Sequence, residues 1–126
     1  MAATIKVTTA LSIKDTSTKL DSPDQVLEKS ETQSLQVIDD KVVVVGQAAE
    51  EDLPIAADIA TLGWCSIHNL DPTNFVRIGP KSGGVMVPYH RLKPGDRHVL
   101  RLEPGITIRW KADTADCKVR IRVFND

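Results

Sequence analysis

Ile106-Thr107-Ile108-Arg109-Trp110-Lys111-Ala112-Asp113-Thr114-Ala115-Asp116-Cys117-Lys118-Val119-Arg120-Ile121-Arg122-Val123-Phe124 is the stretch that decides the fold. Cys117, Val119, Ile121 and Val123 recur at every second position, with Lys118, Arg120 and Arg122 between them. A period of two places successive side chains on opposite faces of a strand, so the first set is core and the second faces solvent or a partner. Ile106, Ile108 and Trp110 oppose Thr107, Arg109 and Lys111 in the same way, and Ala112-Asp113-Thr114-Ala115 reads as the turn between two antiparallel strands. On that reading Arg109, Lys111, Arg120 and Arg122 form one patch of four cations. Such a face serves solubility or docks an anionic partner surface, either another protein or the acidic half of a neighbouring copy.

Working outward, Arg97 to Leu102 is a strand between Lys93-Pro94-Gly95-Asp96 and Glu103-Pro104-Gly105. Both Pro-Gly pairs suit type II turns, proline presetting φ and glycine supplying the positive φ that follows. Gly84 to Leu92 is another strand, which Pro88 confines to an edge or bulge. Gly63 to Leu70 and Asn74 to Ile78 flank Asp71-Pro72-Thr73, and Pro80-Lys81-Ser82-Gly83-Gly84 is a hairpin loop. Turns this regular predict an all-β fold, an antiparallel sandwich or jelly-roll-like barrel of about nine short strands.

The first half is less regular. Thr4 to Lys14 alternates as a first strand, and Ser34 to Ile38 with Lys41 to Gly46 reads as a hairpin around Asp39-Asp40. Ser22 to Lys29 suits either a capped helical turn or a loop entering a strand through Gln25 to Glu28, the second being preferred. Ala48 to Thr61 reads as a connecting loop. The expectation is a single β domain over residues 1–126, with residues 1–30, rich in Thr, Ser, Lys and Asp, available as an extended N-terminal arm.

The chain has 126 residues and a net charge of −1, but residues 1–62 carry 5 Lys/Arg against 11 Asp/Glu and residues 63–126 carry 11 against 6. An acidic half is joined to a basic half. Near-neutrality argues against a nucleic-acid coat, and 4% aromatics supply few stacking platforms for single strands. The longest aliphatic run, Val42 to Val45, is too short for a bilayer helix, and Lys6 interrupts what a signal peptide would keep apolar. Synthesis and folding in a reducing cytoplasm are expected.

Chemistry is sparse. Cys65 and His68 lie on opposite faces of a strand, so they make no nucleophile-base pair, and a buried Cys65 beside Ile67 is the plainer reading. His68, His90 and His98 match no zinc spacing. Gly79-Pro80-Lys81-Ser82-Gly83-Gly84 lacks the order of a phosphate-binding loop. No enzyme activity, cofactor or metal is expected.

Leu62-Gly63-Trp64-Cys65-Ser66-Ile67-His68-Asn69-Leu70-Asp71-Pro72-Thr73-Asn74-Phe75-Val76-Arg77-Ile78-Gly79 resembles small β-rich virion structural proteins of tailed bacteriophages. Their pattern is a strand ending in Asn-Leu-Asp, a short turn, Thr-Asn, an aromatic, then Val and Gly. It continues through Leu92-Lys93-Pro94-Gly95, Leu102-Glu103-Pro104-Gly105 and Lys111-Ala112-Asp113-Thr114-Ala115, with Gly46 to Ile59 resembling the approach, so that about residues 42–126 are covered. The resemblance implies a non-enzymatic particle component and carries over no catalytic residue. A capsid decoration or cement protein on the shell exterior is the favoured role, bound to the major capsid protein and to copies of itself, a trimer above all. The alternatives are a head-fibre base, a head-tail or tail protein, or a soluble ligand- or carbohydrate-binding β module. Neither nucleic acid nor membrane is an expected partner.

Overall fold

The computed structural model describes residues 3–15, 20–22, 25–33 and 38–126. It divides into two compact units, residues 1–34 and 35–126.

The first unit is a ribbon made of two two-stranded sheets. β1 (Ala3–Thr9) pairs antiparallel with β4 (Leu27–Gln33), and β2 (Ile13–Asp15) with β3 (Leu20–Ser22). The strand expected over Thr4 to Lys14 is therefore broken at residues 10–12, while the preferred reading of Ser22 to Lys29, a strand entered through Gln25 to Glu28, agrees with the start of β4 at Leu27. None of the ribbon residues whose burial is described is buried. Ladder hydrogen bonds and exposed ion pairs such as Lys6 with Glu28 at 3.2 Å hold it, which leaves such a ribbon marginal in water.

The second unit contains β5 (Ile38–Val45), β6 (Glu51–Asp52), β7 (Leu62–Asn69), β8 (Val76–Ser82), β9 (Val85–Met86), β10 (His90–Leu92), β11 (Arg97–Arg101), β12 (Ile108–Ala112) and β13 (Cys117–Asn125). One sheet has the order β11-β7-β13-β5, the other β10-β8-β12-β6, with β9 added to β8 as a short hairpin. Every pairing is antiparallel. Apart from the β8-β9-β10 run, successive strands alternate between sheets, and this winding is that of a jelly roll. The core lies between the sheets: Val45, Cys65, Ile67, Val119, Ile121 and Val123 from one face Val76, Ile78, Trp110 and Ala112 from the other.

The all-β, jelly-roll-like expectation holds, but several local readings change: β6 lies inside the stretch Ala48 to Thr61 expected as a loop, β8 runs on through Ser82, and the strand expected over Gly84 to Leu92 is divided into β9 and β10. Asp39-Asp40 is not a turn: both residues lie inside β5, which runs unbroken to Val45, while residues 34–37 fall outside the described residues. The last two strands do not form a hairpin either. β12 pairs with β8 and β6, and β13 with β5 and β7, so residues 113–116 carry the chain from one sheet to the other. Alternation says which face of a strand is buried, and that face is buried equally well by a strand opposite as by a sheet shared with a neighbour.

The connection from β7 to β8 makes the same crossing and is tightly tied. Asn69 is fully buried, and its amide donates to the carbonyls of Asn74 at 2.9 Å and Leu92 at 3.0 Å while its oxygen accepts from Asp71 N–H. The Asp71 carboxylate then accepts the backbone N–H groups of Asn74 and Thr73, which holds its carboxyl below the usual range. The Asn-Leu-Asp and Thr-Asn residues of the distinctive segment thus build a sheet-to-sheet crossing. At Gly79 the strap 87–89 lies directly over β8, with Val87 N–H donating to Pro80 O and Tyr89 N–H to Ile78 O. A Cβ there would sit 1.8 Å from Val87 O, so only glycine fits. Gly95 and Gly105 have φ of 81° and 84°, as the Pro-Gly turns require.

Candidate partner-binding surface

Buried Trp110 and Ala112 point Arg109 and Lys111 to the outer face of the β10-β8-β12-β6 sheet, and buried Val119, Ile121 and Val123 point Arg120 and Arg122 to the outer face of the other sheet. The four cations sit in pairs on opposite sides of the sandwich and make no single patch. A hairpin would have set them side by side; the crossing at residues 113–116 separates them.

Three of the four meet carboxylates from the acidic half. Arg120 forks onto Asp40 with bonds of 3.0 and 2.7 Å, and Arg122 approaches the same carboxylate at 3.4 Å while lying against Phe124. The Arg120 hydrogen bond, reinforced by the charges of Arg120 and Arg122, holds Asp40 below the usual carboxylate range against a smaller opposing effect of burial. Arg109 binds Asp52 at 2.9 Å and Gly84 O at 3.1 Å, with Glu50 at 4.0 Å. The charge division is to this extent satisfied inside one molecule.

Lys111 belongs to another set. The register aligns it with Arg77 on β8, and Arg77 with Arg91 on β10, giving a row of three cations across one sheet face. Arg77 and Arg91 lie over Phe75 at 4.7 and 4.4 Å, and Asp113 binds Arg77 at 3.1 Å. Among the described residues neither Arg91 nor Lys111 has an ion pair. Arg77, Arg91, His90, Tyr89 and Pro88 line a shallow groove of about 210 Å³, with Tyr89 80% exposed. Sequence reasoning passed over Arg77 and Arg91 because nothing local marks strands 14 residues apart as neighbours; the cross-strand register alone joins them.

The opposite outer face carries apolar exposure at its edge. β5 ends that sheet, and its outward positions Ile38, Val42 and Val44 are each more than half exposed around the Asp40 pair. On β7, Trp64 lies under the Arg101 guanidinium at 4.9 Å.

The residues weighed for chemistry are dispersed. Cys65 is 1% exposed, burial pushes its thiol up to about 12, and His68 lies on the other face of β7. Burial, then the charges of Asp71, Asp116 and Asp113, raise Cys117 to about 11, and both cysteines are free. His90 and His98 meet edge to face at 5.2 Å, with burial and then His98 lowering the pKa of His90. Together with Ile67, Ile78, Leu100 and Ile108 they line an apolar cleft of about 100 Å³ between the sheets. Among the described residues no three His, Cys, Asp or Glu side chains gather as metal ligands. The sequence matches no family model, and no curated protein or solved structure matches it.

Proposed function

We propose that the chain is a bacteriophage virion structural protein without catalytic function, a capsid decoration protein that binds the outside of the shell in many copies and stabilises it. The observation that carries this reading is β5: an eight-residue edge strand whose outward Ile38, Val42 and Val44 are exposed on the sandwich. An exposed apolar edge of that length is a surface for another protein chain. The resemblance of residues 42–126 to phage virion proteins supports the choice of partner, the major capsid protein together with copies of the chain itself, a trimer at shell three-folds being favoured. The N-terminal ribbon, with no buried residue among those whose burial is described, suits an arm that gains its packing on the particle. Mass spectrometry and cryo-electron microscopy of purified particles test the role: many copies on the outer shell are expected. Absence from the particle, or a few copies at the tail, overturns it.

A further inference from the structure

We propose that copies of this chain join head to tail through the two free edges of the β10-β8-β12-β6 sheet, the cationic β10 edge of one copy receiving the acidic β6 edge of the next. The inference rests on the reading of the protein as a multi-copy particle component and names the contact between copies.

β10 and β6 end the same sheet on opposite sides, and among the described residues no strand pairs with either outer edge. Backbone N–H and C=O groups on such edges find water or a further strand. The two edges differ in sign. Beside β10 stand Arg91 and Arg77, stacked on Phe75, with His90 and the 80% exposed Tyr89 completing the groove. On β6 stand Glu51 and Asp52, both exposed, with Glu50 preceding them; Asp52 keeps 61% of its side chain in solvent despite its bond to Arg109.

This polarity selects the symmetry. Pairing β10 with β10, or β6 with β6, about a two-fold axis would set like charges against each other. Pairing β10 with β6 sets opposite charges together and makes a heterologous contact, which closes into a ring when the rotation allows. The edges are only three and two residues long, so main-chain bonds across them are few. Charge then sets the register, and Tyr89 and Arg91, residue types that anchor protein interfaces, supply the buried contact.

Sedimentation velocity on the full chain without capsid tests the contact. The expected result is concentration-dependent association that weakens with salt, with Arg91→Glu and Glu51→Lys each raising the dissociation constant about tenfold or more. The double variant Arg91→Glu/Glu51→Lys is expected to restore association to within about threefold of the natural chain. Hydrogen exchange on the unaltered protein reads the same edges independently: backbone amides of residues 90–92 and 51–52 gain protection as concentration rises. A chain that stays monomeric, or association that ignores both charge reversals or is not restored by the double variant, overturns the proposal. Association through these edges by a protein missing from particles retires the particle role and keeps the interface; a particle-bound protein whose self-association ignores the charge swap retires the interface alone.

Discussion

Asp40 on β5 and Arg120 on β13 stand 80 residues apart in sequence and are joined by two hydrogen bonds of 2.7 and 3.0 Å. The bond ties an edge strand to its inner neighbour in the sheet and brings the acidic half of the chain onto the basic half.

That pair gives the fold a pH dependence of known sign. Asp40 has a folded pKa below its ordinary 3.8, so its contribution is complete above that value and is lost as pH falls through the folded pKa. The pair is exposed, and solvent keeps the effect small. Asp40→Asn should lower the melting temperature at neutral pH, less so in high salt, and the difference from the natural chain should vanish in strong acid. Melting curves of both proteins across pH check this; a difference that persists below the folded pKa refutes the assignment.

Asn69 should be among the most sensitive polar positions. Replacing it with alanine removes the donors to Asn74 O and Leu92 O and the acceptor of Asp71 N–H at a fully buried site. The unsatisfied groups cost about 3 kcal/mol together. Urea unfolding of Asn69→Ala measures the loss, and a change under about 1 kcal/mol would show that water replaces the amide without penalty.

Gly79→Ala drives a methyl group into Val87 O. The strap 87–89 must lift from β8 or β8 must bend, so the amides of Val87 and Tyr89, bonded to Pro80 O and Ile78 O, should lose protection from exchange along with a large fall in stability. Natural-level protection at both amides would mean the strap is held by something other than its fit over glycine.

Burial separates the two units energetically. β13 places Cys117, Val119, Ile121 and Val123 at 0% exposure, whereas the ribbon of β1 and β4 buries nothing among its described side chains. Amides of β13 should therefore exchange at the rate of global unfolding and those of β1 and β4 orders of magnitude faster. Exchange measured by mass spectrometry on the full chain decides it, and equal protection in ribbon and sandwich contradicts the expectation.

Alternation at Cys117 to Phe124 made both the strand and its buried face legible, and the Pro-Gly pairs located turns that the positive φ of Gly95 and Gly105 bears out. Pairing was not legible. The polar residues at 113–116 suit a tight turn and a sheet crossing alike, and what distinguishes them is long-range: Gly46 O accepting from Ala112 N–H, Phe75 O from Asp113 N–H, and Asp116 capping Gln47 N–H. The charge halves were visible as totals, yet which cations keep their charge available depends on register. Arg109, Arg120 and Arg122 face Asp52 or Asp40, while Lys111 shares a row with Arg77 and Arg91.

That distinction can be measured with two substitutions of the same chemical kind. Arg120→Glu leaves Asp40 facing a new carboxylate across the sheet, with only the 3.4 Å contact to Arg122 to compensate. Lys111→Glu instead places a carboxylate opposite Arg77 in the register and removes a like-charge neighbour from the row. Arg120→Glu should therefore lower the melting temperature clearly, and more at low salt, whereas Lys111→Glu should leave stability within about 0.5 kcal/mol of the natural chain or raise it. Melting of the two variants side by side checks the register. Equal losses would mean the cations form one electrostatic unit after all, and a loss confined to Lys111→Glu would place the free charge on the other face of the sandwich.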